Sequence, residues 1–356
     1  MKELDIFKNL LCPPGDGVFT VETGKEKKSF VQNSLYGSND IQSSWEKSLE
    51  QIQDGTKHLL LGVPSDNGGG IVRGANWGPL FIRESLIKSK ISSYFDIGDI
   101  RVVPHLLHDS YLNQETISKI RKALFREDLK LPVSALSICE MVIETLLNSN
   151  KKILSLGGDH SVSAGLLPPF IKKNPDLGIL HFDAHTDLLE ERLGIDKCFA
   201  TWAANILPHL KSPQHLAQVG IRRSGKEKAY WEEKYKISQY WAEETRINGP
   251  EKIADQIISQ FNSQGVTKIY ISFDIDAIDS EYASATGTPE EGGLRPHEAS
   301  LIIDRVASQF ETIGADLVEV APFINHYGSK TKSSPEPETT LDVASLIASK
   351  LLEAFD

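Results

Sequence analysis

Short apolar runs recur along most of this chain, separated by polar or amphipathic stretches. From about residue 57 they are 57–63 (KHLLLGV), 152–156 (KILSL), 178–183 (GILHFD), 217–221 (AQVGI), 268–274 (KIYISFD) and 316–320 (DLVEV). Runs this short and this apolar predict strands buried on both faces. Between them lie helical patterns. In 134–148, Ile138, Met141, Val142, Thr145 and Leu146 share one helical face. Segment 250–264 opens with Pro250, which suits a first turn, and closes before Gly265. Segments 296–309 and 339–354 predict two more helices. Strands alternating with helices, without hairpin signals, predict one mostly parallel sheet covered on both faces. Residues 1–50 break this rhythm: Glu22 to Ser44 is polar and weakly periodic. They read as an N-terminal arm or a packed extension ahead of a main domain over 51–356.

Composition narrows the function. With 356 residues, 40% of them hydrophobic, the chain can bury a large core. Its net charge of -11 argues against nonspecific nucleic-acid binding, which needs clustered Lys and Arg. The densest basic stretch, Lys25-Glu26-Lys27-Lys28, is short and reads as a solvated run. Cys12, Cys139 and Cys198 are few, odd in number and far apart, which argues against a disulfide framework or a Cys-based zinc site. The N-terminus lacks the apolar core of a signal peptide, and no apolar run approaches the ~18 residues of a membrane span. The expectation is a cytoplasmic protein with no membrane or nucleic-acid partner. The stretch Asn67-Gly-Gly-Gly-Ile-Val-Arg73-Gly74 matches neither the dinucleotide nor the P-loop glycine pattern. It reads as a loop over a cleft.

Three strand ends carry metal-type side chains: Gly157-Gly-Asp-His160-Ser, His181-Phe-Asp183-Ala-His185-Thr-Asp187, and Ser272-Phe-Asp274-Ile-Asp276-Ala-Ile-Asp279. Residues i and i+2 of a strand project from one face, so Asp183 with His185, and Asp274 with Asp276, can each aim at one point. The glycines before His160 suggest a sharp turn there. No Lys or Arg adjoins either acidic cluster. Buried carboxylates need a counter-charge, and a divalent cation supplies it. Four or more carboxylates with two imidazoles exceed the needs of one ion, so two are expected. The mixed O/N donor set suits Mn²⁺. Ni²⁺, Co²⁺ and Zn²⁺ are the alternatives.

Together these motifs resemble the arginase/agmatinase/formimidoylglutamase family, the ureohydrolases. The likeness extends through Ala285-Thr-Gly-Thr-Pro-Glu-Glu-Gly-Gly-Leu294, Asp316-Leu-Val-Glu319-Val, Gly62-Val-Pro64, Arg73-Gly74, Gly78-Pro79, Arg83 and Asp96-Ile-Gly-Asp99. It implies a three-layer α/β/α fold with a mostly parallel, roughly eight-stranded sheet. It also implies a pair of Mn²⁺ ions, a small guanidino or amidino substrate, and assembly as a trimer or hexamer. By carry-over, His160, Asp183, Asp187 and Asp274 would hold one ion. His185 and Asp276 would hold the other, with shared carboxylates. Asp187 would move a proton to the leaving nitrogen, and Glu319 would pair with the cationic group of the substrate.

Two departures stand out. Many relatives place a proton-shuttling histidine after the second motif, whereas this chain reads Asp196-Lys-Cys198-Phe-Ala-Thr-Trp202, which makes Cys198 a candidate catalytic or lining residue. The asparagine by which arginases grip their amino acid is also missing, since Leu188-Leu-Glu-Glu-Arg192 stands there. Arg192 and Arg223 are candidates for a substrate carboxylate or for surface ion pairs. The expectation is release of urea from a guanidino compound. The alternatives are a formimidoyl hydrolase that releases formamide and a catalytically silent metal-binding relative.

Overall fold

The computed structural model describes residues 2–18, 20, 22–52, 58–125, 129–324 and 337–356. The predicted strands form a single sheet that holds nine strands among the described residues. They are β1 (Leu11–Cys12), β2 (His58–Val63), β3 (Tyr94–Ile100), β4 (Ile153–Gly157), β5 (Leu177–Phe182), β6 (Leu216–Val219), β7 (Ser238–Tyr240), β8 (Lys268–Asp274) and β9 (Glu311–Val318). Their order is β1-β3-β2-β4-β9-β8-β5-β6-β7. Only the β1–β3 pair is antiparallel.

The six apolar runs become β2, β4, β5, β6, β8 and β9; Lys57, the first residue of one run, lies outside the described residues. The pattern did not reveal β3, because Asp96 and Asp99 interrupt it. Both carboxylates are buried against Arg83, whose Nε donates to Asp96 at 2.7 Å and whose Nη1 donates to Asp99 at 2.5 Å. β7 is three residues long with Gln239 at its centre, too short and too polar to register as a run. β9 begins five residues before the run 316–320, because Glu311 and Gly314 break up its first half.

Alternate residues of each strand feed two cores. Leu59, Leu61, Ile153, Ile179 and Tyr270 pack on the side of helices Ala135–Leu146 and Ser163–Lys173. Leu60, Leu154, Leu180, Ile271 and Leu317 pack on the side of helices Gly78–Lys88, Pro250–Gln264, Pro296–Ala307 and Pro337–Glu353. This is the three-layer α/β/α arrangement. The punctuation of Pro250–Gln264 works as expected: Pro250 opens the helix, and Gly265, at φ 70°, closes it in the left-handed region.

The first fifty residues contribute helices Glu3–Leu10, Lys25–Tyr36 and Ile41–Leu49, together with β1. The fully buried Trp45 donates its indole N–H to the Ile97 carbonyl at 3.0 Å. Asp99 accepts from the Gly15 amide at 2.7 Å. The segment therefore closes the β3 edge of the sheet. No helix among the described residues is long and apolar enough to cross a membrane.

Candidate metal centre

The site lies beyond the carboxyl ends of four neighbouring strands, β4, β9, β8 and β5, where parallel α/β sheets offer a crevice. His160 follows β4, Asp183 to Asp187 follow β5, Asp274 ends β8 with Asp276 just after it, and Glu319 follows β9. Beneath it, one register row crosses the sheet through Ser155, Asp316, Ser272, His181, Gln218 and Gln239. These polar side chains support the ligands, since Asp183 and Asp274 stand two residues further on and project from the same face.

The sequence-predicted ligands meet in two groups. In the first, His160 Nδ1 lies 3.2 Å from Asp183 Oδ2, 3.3 Å from Asp187 Oδ2 and 3.1 Å from Asp274 Oδ2. In the second, His185 Nδ1 lies 3.4 Å from Asp183 Oδ1 and 3.0 Å from Asp276 Oδ2. Asp183 thus presents one oxygen to each group, as a bridging carboxylate does. Asp276 also accepts from the Ala184 amide at 3.0 Å and from Thr288 Oγ1 at 3.1 Å, and its own amide donates to Asp274 at 2.8 Å. These bonds lock the end of β8 against the end of β5.

The donor set fits a cation on chemical grounds. Asp316 is surrounded by three hydroxyls: Ser272 at 2.8 Å, Tyr270 at 2.9 Å and Ser163 at 3.0 Å. The Ser272 proton goes to Asp316, so its oxygen is left to accept from His160 Nε2 at 3.0 Å. That places the proton of the neutral His160 ring on Nε2 and turns Nδ1 toward the carboxylates, where it can take up either a proton or an ion. Nδ1 is buried without a hydrogen-bond partner and faces three carboxylates. Without an ion the surrounding carboxylates favour a proton on Nδ1, and a divalent ion placed between the same groups would replace that proton and turn the geometry into ligation.

Proton affinities reflect the same crowding. Burial, then the neighbouring carboxylates, pushes Asp187 and Asp274 well above the usual carboxylate range. Burial would lower His160, but Asp183 and Asp274 override it and raise it. Burial would raise Asp183, but contacts from His160, His181 and His185 hold it well below its ordinary value.

His181 also borders the first group. Both its nitrogens are engaged: Nε2 lies 2.9 Å from Asp183 Oδ2, and Nδ1 lies 3.0 Å from the Gln218 amide nitrogen. It supports a ligand and has no lone pair free for an ion. Asp187 and Glu319 hold left-handed backbone, at φ 51° and 62°. That is uncommon for residues with side chains and persists where the surroundings over-determine it. Trp202 contributes at Asp187, where its buried indole donates to Oδ2 at 2.8 Å. Glu319 accepts from the His160 amide at 2.8 Å; burial, then Asp274 and Asp159, raise its proton affinity. The glycines before His160 serve clearance rather than a left-handed turn: a Cβ on Gly158 would sit 1.6 Å from the Ser65 carbonyl oxygen.

Cys198 stands apart from the two ligand groups. It is buried in the wall of a neighbouring cleft of about 820 Å³, with Phe199, Arg192 and the Gly68–Ile71 loop. The loop is tied down: Gly68 N–H donates to Asp159 at 3.2 Å, and its carbonyl accepts from Phe199 N–H at 3.0 Å. Arg192 lies 5.0 Å over the Phe199 ring, and the exposed Arg223 pairs with Glu290 at 2.6 Å. The sequence reading passed over Trp202, Gln218 and the supporting role of His181. A histidine two residues before a ligand on the same strand was the available signal for the last; the isolated Trp202 and Gln218 gave none.

The comparisons agree with this geometry. Residues 56–350 match the family model described as the arginase family. The chain is 30% identical over 276 residues to an agmatinase of Bacillus cereus, covering 76% of this chain and 86% of that protein. It is 31% identical over 292 residues to the mitochondrial guanidino acid hydrolase of Homo sapiens, covering 77% and 74%. The solved structure of proclavaminate amidino hydrolase from Streptomyces clavuligerus shares the fold at a TM-score of 0.66 and 23% identity, covering 85% of this chain and 92% of that one. With its His/Asp cluster at the strand ends, the chain belongs to the arginase family, whose members are binuclear-metal hydrolases that act on guanidino C–N bonds.

Proposed function

We propose that this protein hydrolyses a small guanidino compound to urea and an amine, with Mn²⁺ as its resident metal. The observation that carries the reading is the convergence of buried His160 Nδ1 with Asp183, Asp187 and Asp274, with Asp183 reaching across to His185 and Asp276. These six residues would hold the ions. When bound, two such cations supply a nucleophilic water at neutral pH.

The protein's own groups do the rest. Glu319 has one oxygen on the His160 amide, and its buried charge calls for a cationic partner. A guanidinium offers that charge with matching planar donors. Asp187 would take the proton that the attacking water gives up and return it to the leaving nitrogen. The Trp202 indole keeps it aimed. Cys198 lines the adjoining cleft, where the distal part of a substrate would pass. Residues 51–356 form the catalytic unit, and 1–50 an extension that supplies none of these groups. The unit assembles as a cytoplasmic homo-oligomer, which light scattering reads directly.

A substrate panel tests this function. Arginine, agmatine, guanidinobutyrate, guanidinopropionate, guanidine and formiminoglutamate are each incubated with protein loaded with Mn²⁺, Ni²⁺, Co²⁺ or Zn²⁺. Urea from a guanidino substrate is the expected product. Formamide from formiminoglutamate alone would replace this reading with formimidoyl hydrolysis. No turnover of any compound by metal-loaded protein would leave a silent relative.

A further inference from the structure

The polar register row continues past the ligands, away from the site. His181 on β5 is in register with Gln218 on β6, and Gln218 with Gln239 on β7. Gln218 and Gln239 are buried almost completely. Buried side-chain amides in a parallel sheet are expensive unless every polar atom is matched. Here each one is. Trp241 Nε1 donates to Gln239 Oε1 at 3.0 Å, and Gln239 Nε2 donates to Gln218 Oε1 at 2.8 Å. Gln218 Nε2 donates to the Thr186 carbonyl at 2.7 Å and faces His181 Nδ1 at 3.0 Å. His181 Nε2 faces Asp183 Oδ2 at 2.9 Å.

The direction of this chain follows from its two ends. An indole N–H can only donate, so Gln239 must turn its oxygen to Trp241 and its NH₂ to Gln218. A main-chain carbonyl can only accept, so Gln218 must turn its NH₂ to Thr186 and to His181. Both ends give Gln218 the same orientation. His181 Nδ1 must then accept, which puts the ring proton on Nε2, aimed at the bridging carboxylate. The second Gln218 bond holds the carbonyl between His185 and Asp187, next to the left-handed turn at Asp187.

We propose that Gln218, aligned from behind by Gln239 and Trp241, is a positioning residue of the metal centre. It sets the His181 tautomer that donates to Asp183, and it clamps the Thr186 carbonyl that carries the turn into Asp187. The proposal rests on the two-ion reading of the site, but its hydrogen-bond directions can be read without any ion.

The test uses protein labelled with ¹⁵N-histidine and stripped with chelator, together with Mn²⁺ titration followed by the EPR signal of free Mn²⁺. In wild type, the His181 nitrogen shifts should report a protonated Nε2 and an unprotonated Nδ1. Gln218→Met should lose that single tautomer and weaken Mn²⁺ binding by roughly 10- to 100-fold, the range for lost supporting partners of metal ligands. Gln239→Met and Trp241→Phe, further out, should weaken it less, in that order. Trp241 is partly exposed, so its variant keeps the test open if Gln218→Met fails to fold. Protonation at Nδ1 in wild type would overturn the proposal, as would unchanged tautomer and Mn²⁺ affinity in the variants. Wild-type protein with the expected tautomer that takes up no Mn²⁺ would instead overturn the metal reading, and with it the purpose assigned to Gln218.

Discussion

Replacing Trp202 with Phe deletes one hydrogen bond and little else. The indole is fully buried, its centroid is 4.6 Å from both His160 and His181, and its N–H donates to Asp187 Oδ2 at 2.8 Å. Phe keeps most of the ring contact and lacks the donor. The effect on ion affinity depends on how the bond differs between the two states of the site. Without an ion, burial and the neighbouring Asp183 charge favour a protonated Asp187, so the bond is close to neutral and contributes about 0.5–1.5 kcal/mol. With an ion, Asp187 is anionic and the bond contributes about 1.5–3 kcal/mol. The difference, about 1–1.5 kcal/mol, corresponds to a roughly five- to twelvefold loss of affinity. The measurement is best made in an Asp276→Ala background, where the His160 group is the intact one. Chelator-stripped Asp276→Ala protein, with and without Trp202→Phe, is titrated with Mn²⁺ and free ion is read by EPR. Equal affinities in the two proteins would refute the reasoning, because they would mean that the indole does not discriminate between the two states of Asp187.

In an otherwise wild-type chain, Asp276→Ala should lower bound Mn²⁺ from two ions to one and abolish urea release while circular dichroism stays native; wild-type rates would remove Asp276 from the site. Arg83→Met strands the buried Asp96 and Asp99 and should destabilise by about 3–5 kcal/mol, with Asp96→Asn and Asp99→Asn added to it restoring much of the denaturant midpoint. If the added changes lower the midpoint further, the stranded charge is not the cause. Metal-free protein should become less stable as pH rises. Asp187, Asp274 and Glu319 are raised, so their contribution is present below the ordinary carboxylate pKa of ~4 and lost above it. His160 and His185 are also raised, and their contribution is lost as pH climbs from ~6.5 through their folded values. Asp183, His181 and Glu290, which are lowered, act in the other direction, their contributions being lost as pH falls through their folded values. The Tm increment on adding Mn²⁺ should therefore widen between about pH 5 and pH 8, since ligands must shed protons to bind; a gap that narrows would contradict the assignment.

Much of the fold and of the site is legible in the amino-acid sequence. The apolar runs placed six strands, and Pro250 with Gly265 bracketed a helix to the residue, because burial on both faces and helix punctuation leave local marks. The i, i+2 spacing of Asp183 with His185 and Asp274 with Asp276 announced convergence, since strand geometry alone puts both members of a pair on one side. What the order of residues does not carry is which strands become neighbours. His160, Asp187 and Asp274 meet because β9 and β8, late in the chain, insert between β4 and β5. The same insertion brings Asp316 and Ser272 under His160 and so decides which of its nitrogens faces the carboxylates. β3 and β7 escaped notice for a related reason: their Asp and Gln residues look like solvent-facing positions until Arg83, or the row from His181 to Trp241, supplies partners from elsewhere in the chain. Local sequence thus determined the elements and the chemistry they carry. Tertiary structure decided the partners, because a buried polar group is stable only beside groups that the chain brings to it from a distance.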